Sequence, residues 1–391
     1  MIITTEEELR RCLPSHAIDH IEAFTGYIDN SEHEFLLQPL GQPLYERLCD
    51  WYDKHRGEYS VADGKDVGYW NRLLLIAQRC VAFDAMGRAI DQQAVSINGA
   101  GVNFASAEDY KTADRDSISA AKQSFLKEAH SALNRLLYTL EQWTSQCPSE
   151  EDVDQETEEL YEICKFWRSS RYFYLAAQLL IPSATVLQEY LNIYDSREKF
   201  IQMLPDLHFI QEEQIAPAIG EDFCEHLVGL QVSGGTKRDA TAATSSRPKS
   251  LADDAAIQPV LRRLLHKLRK IEATLLEGRT KVVKVDKDRR IAAHDEGIRL
   301  LGQFASEYCP EHQDDILLAL GLPKDVLQAM NAGAIAPADL QTDYPEAYTY
   351  VVSPLFVAPV VKADADPSQK SPSACSGEPR IDGMLVTPPL L

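Results

Sequence analysis

The sequence predicts a mainly α protein built as two tandem related helical bundles, with a small β-hairpin inserted in the first and a disordered C-terminal tail. Three observations carry this expectation. Apolar residues return every three or four positions through most of the chain, the period of a helix with one buried face. Only residues 94–104 switch to a period of two. The phrase AHSALNRLL at 129–137 is nearly rewritten as AHDEGIRLL at 293–301, and each is followed by an aromatic residue and then Cys-Pro.

The first helix opens at Thr5, with Glu8 completing a capping box, and stops near Pro14. Ser31-Glu32-His33-Glu34 reads as a second box that starts the helix FLLQPLG. Pro43 suits the first turn of the next helix, where Leu44, Leu48, Trp51 and Tyr52 share a face. From Trp70 to Met86 the chain is apolar on almost every side, as the central helix of a bundle would be, and Arg88 is the partner predicted for Asp84 one turn earlier. In 94–104, Val95 and Ile97, then Val102 and Phe104, flank a glycine-rich tip and predict a hairpin. No Lys-Ser/Thr follows those glycines, as a phosphate loop would require.

A long helix follows over about 117–145, with the stripe Ala129, Leu133, Leu136, Leu137, Leu140 and Trp143. The acidic run Glu150–Glu162 opens another helix, in which Leu160, Ile163, Cys164, Trp167 and Tyr174 recur before Pro182. After a Gly/Ser/Thr-rich loop, helices resume at Pro259, and TKVVKV reads as a short strand. Beyond Tyr350 the chain is Pro, Ala, Ser and Val without period, a tail by composition.

Laid against itself, the chain matches in three blocks in the same order. LGQPLYERL (40–48) faces IGEDFCEHL (219–227), preceded by TTEEELRRCL against PSATVLQEYL, at offsets of 178–179. NRLLLIAQRCVAFDAMGR (71–88) faces RRLLHKLRKIEATLLEGR (262–279) at an offset of 191. The two opening phrases follow at 164, so the length changes fall in loops. The second stripe is Ala293, Gly297, Leu300, Leu301, Phe304 and Tyr308, and His130 and His294 beside the stripes read as hydrogen-bonded structural histidines. The expected organisation is a bundle over 1–148, a linking helix over 149–181, and a second copy over 182–322 with a flexible loop at 232–256. A short helical extension over 323–350 and the tail 351–391 complete it.

Composition narrows the function. The chain of 391 residues is 45 % apolar and 25 % charged, ordinary for a globular protein of two or three domains. No apolar run reaches the 18 or more residues of a membrane span, and MIITTEEELRR is acidic where a secretory signal is basic, so a cytoplasmic protein without membrane contact is expected. Cys12, Cys49, Cys80, Cys147, Cys164, Cys224, Cys309 and Cys375 form no CxxC pair and read as reduced, buried thiols. The net charge of −21 argues against sequence-specific nucleic-acid binding. The charge is uneven, however: Val232–Arg290 holds 15 Lys/Arg against 7 Asp/Glu, so this stretch is +8 and the remainder −29. An acidic body with one basic segment suits an acidic partner or a second copy of itself. Candidate partner contacts are Asn98, Gly99 and Gly101 at the hairpin tip, and Arg262, Arg263, Lys267, Arg269 and Lys270 on the basic helix.

Catalytic signatures are absent from the sequence, so a non-enzymatic protein without cofactor is expected. His16 and His20 could place two metal nitrogens on one helix face, but no third ligand accompanies them, and Cys309 with His312 is equally thin. An enzyme would instead need a cleft between the bundles lined by buried, pKa-shifted groups.

TTEEELRRCLPSHAIDHIEAF, DNSEHEFLLQPLGQPLYERL and LLLIAQRCVAFDAMGRAIDQQAVSINGAGVNFASAEDY resemble proteins encoded by Bacteroides prophages. Those are in turn similar to the helical head–tail connector, or head-completion adaptor, proteins of tailed phages. The resemblance covers residues 1–148 well and the second copy faintly. It implies a non-enzymatic virion-assembly protein that forms a ring beneath a portal, contacting itself and other head–tail proteins, with DNA passing through. Such adaptors are usually shorter, with a single unit. The alternative is a cytosolic helical scaffold or regulatory binding protein unrelated to virions.

Overall fold

The computed structural model describes residues 1–13, 21–59, 68–93, 95–98, 101–104, 115–233 and 258–358. His16, His20, Gly99, the loop 234–257 and the tail from 359 onward lie outside the described residues. The protein is mainly α. No described helix is long and apolar enough to cross a membrane.

The front half begins with α1 (Glu6–Cys12), capped by Thr5 in a capping box with Glu8. One helical run then comprises α2 (Thr25–Ser31), a π turn (Glu32–Leu36) and α3 (Leu37–Leu40). After Gly41 come α4 (Gln42–Lys54), with its proline in the first turn, and α5 (Tyr69–Gln93). Strands β1 (Val95–Asn98) and β2 (Gly101–Phe104) pair antiparallel in the period-two stretch, with Ser96 opposite Asn103. The long α6 (Arg115–Gln146) and α7 (Glu158–Trp167) complete the half. Because α5 is apolar around its circumference, it packs against α1, α2, α4, α6 and α7 at once. Buried Asp84 receives a hydrogen bond from Arg88 at 2.6 Å, so the charge inside that helix is paired as the spacing predicts.

The back half comprises α8 (Ala184–Gln188), α9 (Arg197–Ile210), a π turn (Gln211–Ile215), α10 (Ala216–Ile219) and α11 (Glu221–Ser233). Next come α12 (Pro259–Arg279), α13 (Lys287–Gln303), a third π turn (Phe304–Tyr308) and α14 (Cys309–Ala319). Three shorter helices, α15 (Lys324–Asn331), α16 (Leu340–Asp343) and α17 (Pro345–Val351), end it. One apolar core gathers residues from Ile2 to Trp167 and a second gathers residues from Tyr174 to Leu355. Both predicted stripes are used: Ala129, Leu133, Leu136, Leu137, Leu140 and Trp143 are buried in the first half, and Ala293, Leu301 and Phe304 in the second.

The halves share details that the sequence does not spell out. The backbone N–H of Ile2 donates to Glu32 Oε1 at 2.7 Å, and that of Leu180 donates to Gln211 Oε1 at 2.8 Å. The carbonyl of Ile2 accepts from Gln78 Nε2 at 2.7 Å, and that of Leu180 from Arg269 Nε at 2.9 Å. Gln78 and Arg269 are 191 residues apart, the offset of the second sequence block, and Glu32 and Gln211 are 179 apart. In each half one acceptor and one donor together clamp both polar groups of one buried backbone residue, which would otherwise be costly to bury. Gly41 (φ 79°) and Gly220 (φ 96°) both follow a π turn and a four-residue helix, and both abut a serine, Ser170 and Ser353. Ser170 and Trp167 donate to the carbonyl of Pro39, each at 3.1 Å, closing α7 over the front half.

Several expectations are corrected. Ser31 does not cap a helix: the chain is already helical from Thr25, and its hydroxyl donates to the carbonyl of Val81 at 3.2 Å. Tyr174 is buried but lies beyond α7, which ends at Trp167. TKVVKV is not a strand: among the described residues no neighbouring strand pairs with it, and the segment serves as the α12–α13 connection. Cys147-Pro148 follows the end of α6, whereas Cys309-Pro310 directly follows the third π turn in a helical run that continues from α13, so the dipeptide does not end the helix there. The tail does not begin at 351: Val351 and Leu355 are buried and Ser353 sits against Gly220.

Candidate functional site

The spacing of α12 sorts its side chains. Leu261, Leu264, Leu265, Leu268, Ile271 and Leu275 are buried, which leaves Arg262, Arg263, His266, Lys267 and Lys270 exposed. Beside that helix is a cleft of about 530 Å³, lined by Glu189, Tyr190, Arg262, Arg263, His266, Lys267, Arg269 and His312. Tyr190 and His266 meet across it, hydroxyl to Nδ1, at 2.7 Å. Arg269 is buried, fixed through Nε to the Leu180 carbonyl at 2.9 Å. Four of the five basic residues singled out on the sequence therefore converge.

The fifth does not line the cleft. Lys270 is exposed, and its charge is felt on α13, where Glu296 is held below its ordinary value by the hydrogen bond from Arg299 and, more weakly, by Lys270. At the hairpin, Asn98 and Gly101 pair in register.

The basic cleft is costly to the helix that carries it. Arg262 and Arg263 lie near the N-terminus, where the macrodipole favours anions, and Arg263 and Lys267 stack like charges at i, i+4. Arg262 and Arg263 have no ion pair among the described residues. Among the described residues Glu189 is the one carboxylate lining the cleft. The sequence signal was the cation run itself. The contributions of Tyr190 and His312 required the fold, because they come from separate stretches, whereas His266 lies within the cation run itself.

Other titratable groups are built for structure. Burial alone would raise the Glu8 carboxyl, but hydrogen bonds from Thr4, Tyr59, Tyr52 and Thr5 together hold it below its usual range. Burial pushes Cys12 up to about 11 and, with Glu272 nearby, Cys224 up to about 12. Such thiols stay protonated, the opposite of a nucleophile's requirement. Glu272 on α12 is wholly buried, neither carboxylate oxygen is hydrogen-bonded, and burial raises it to about 8 against the opposing pull of Arg269. His130 bonds Glu198 at 2.8 Å, as a structural histidine would, while His294 Nδ1 stands 3.6 Å from Asp295, beyond hydrogen-bond reach. Among the described residues no three His, Cys, Asp or Glu side chains converge as a metal site.

Residues 36–150 match the profile of a family of unknown function, DUF6712. That span runs from the end of the first π turn to the turn before α7, within the front half. No curated protein and no solved structure matches the chain.

Proposed function

We propose that the chain is a non-enzymatic assembly protein made of two copies of one helical module, acting through protein–protein contacts. The observation that carries this reading is the pair of matched backbone clamps, Glu32 and Gln78 on Ile2, Gln211 and Arg269 on Leu180. What the halves hold in common is interior architecture. Buried polar side chains such as Glu32, Gln78 and Arg269 are directed at backbone, and the recess beside α12 is basic on an acidic protein.

The resemblance of residues 1–148 to head–tail connector proteins makes a prophage particle the setting, with portal or other head–tail proteins and further copies of the chain as partners. An acidic wall favours this role, since a channel that repels phosphate lets DNA slide where a basic one would grip it. The test is light scattering of the purified chain alone and mixed with the portal protein of its own prophage. A stoichiometric complex larger than either component is the expected result. A strict monomer at high concentration, indifferent to portal protein, would overturn it.

A further inference from the structure

We infer that the α12 cleft receives the acidic turn Glu150–Asp154 of a second copy of this chain. The inference deepens the assembly reading by naming one of its contacts, and it needs nothing from the phage setting.

The ligand must be anionic. Arg262, Arg263, Lys267 and Arg269 surround about 530 Å³ of recess, a volume in the range that accepts a small molecule or a few side chains. Arg262 and Arg263 lack any ion pair among the described residues and sit where the helix dipole already disfavours them. Arg269 is held rigidly by the Leu180 carbonyl, so part of the recess is ordered before anything binds. Nucleic acid fits poorly. Outside Val232–Arg290 the chain carries −29, and a phosphate backbone laid across the surface would meet that field on leaving the cleft.

The chain itself carries the complementary shape. Glu150, Glu151, Asp152 and Asp154 are exposed on a 3₁₀ turn and the residues just after it. Ser149 donates to Asp152, and Asp154 Oδ1 accepts from the backbone N–H of Glu156 at 3.1 Å and of Thr157 at 2.9 Å. The turn is thus preorganised, and Glu150 and Glu151 have no ion pair among the described residues. Binding would desolvate few groups that are already paired. The turn belongs to the front half and the cleft to the back half, so the contact is heterologous. Each added copy leaves one turn and one cleft open, and growth continues until a ring closes.

The test uses the full chain in sedimentation velocity at low and high salt. Wild type should associate with concentration and dissociate as salt screens the contact. R262E/R263E and E150K/E151K should each weaken self-association about tenfold or more. The neutral pair R262Q/R263Q gives an intermediate loss and guards against a folding artefact. Mixing the two charge-reversed variants should restore association, because the acidic turn of one meets the basic cleft of the other, and the reverse. A wild type that stays monomeric at every salt concentration overturns the inference, as do variants that associate like wild type. Binding of inorganic phosphate or short duplex DNA that needs Arg262 and Arg263, without self-association, would overturn it too. Portal binding that survives R262E/R263E keeps the assembly reading standing even where the cleft inference falls.

Discussion

Arg197 Nε meets Glu141 Oε2 at 2.9 Å, and neither side chain is more than 2 % exposed. The pair joins α6 of the front half to the first residue of α9 in the back half. Around it, Asn134 Oδ1 accepts from the Arg197 N–H at 2.8 Å, Asp195 O and Thr185 Oγ1 take further guanidinium hydrogens, and Tyr138 lies 4.6 Å from the cation. The two cores are thus fastened by one desolvated charge pair with most of its hydrogens occupied.

Removing Arg197 leaves Glu141 buried without its counter-ion, and removing Glu141 leaves the buried guanidinium only the half-exposed Asp195 carboxylate, 3.0 Å from Nη1. Arg197→Ala or Glu141→Ala is expected to cost about 3–5 kcal/mol in urea unfolding. The double variant Glu141→Leu with Arg197→Met should recover most of that loss, since both charges then disappear together. Equal destabilisation by single and double variants would show that the pair is not the fastening.

Glu272 gives a pH signature. Its value rises from 4.5 to about 8 on folding, so between those limits the folded protein holds more protons than the unfolded chain. Its contribution to stability is therefore full below about 4.5 and lost as pH climbs through 8. Glu272→Gln should stabilise the protein at pH 7 by up to about 3 kcal/mol, from 1.36 kcal/mol per pKa unit, with little gain at pH 4. Denaturation midpoints of both proteins across that range check this. A gap that does not change with pH would refute it.

Gly41 and Gly220 should tolerate alanine badly. Both adopt positive φ, and an added Cβ would lie 3.1 Å from Ser170 Cα and 3.0 Å from Ser353 Cβ respectively. With ψ of 151° and 131° both lie toward the extended positive-φ region that essentially only glycine occupies, so each substitution is expected to cost about 1–3 kcal/mol, and more if the serine cannot yield. Gly26 and Gly302 are the controls, with open space around them inside helices, where alanine should stabilise by up to about 1 kcal/mol.

His130 adds a smaller seam contact with its own pH dependence. The hydrogen bond to Glu198 raises its value above 6.5 against the effect of burial. Its stabilisation is fully present below about 6.5 and fades as pH rises through the raised value. Because the ring is about half exposed, His130→Gln should lose only about 0.5 kcal/mol at pH 5.5 and almost nothing at pH 9, measured as the gap from wild type.

Features that depend on local chemistry were legible in the sequence. The Thr5–Glu8 box, Asp84 with Arg88, proline at the head of α4 and α12, and the α6 stripe each depend on residues within one or two turns. The misreadings have a common cause. Ser31 has the composition of a cap, but the helix is already running and its hydroxyl is taken by the Val81 carbonyl, fifty residues away. Tyr174 falls on the helical period of α7, yet the chain turns at Arg168 and reaches the second core by another route. TKVVKV has strand composition but, among the described residues, no strand to pair with. For the cleft, the cations on α12 could be read from their spacing. Tyr190 and His312 could not, being brought there by packing.

The π turns at Glu32–Leu36 and Gln211–Ile215 set how single-residue deletions should behave. A π turn holds one residue more than the α-helix around it, so a deletion there would regularise the helix without breaking a hydrogen-bonded turn. Because the wide turn absorbs the surplus residue, the helix beyond it would keep its phase, whereas the same deletion in the regular part of α4 would swing everything after it by about 100°. Leu40 would stay in the interior, and the Pro39 carbonyl would still face Trp167 and Ser170. One residue fewer in either π turn should thus be tolerated where one fewer a few positions later is not.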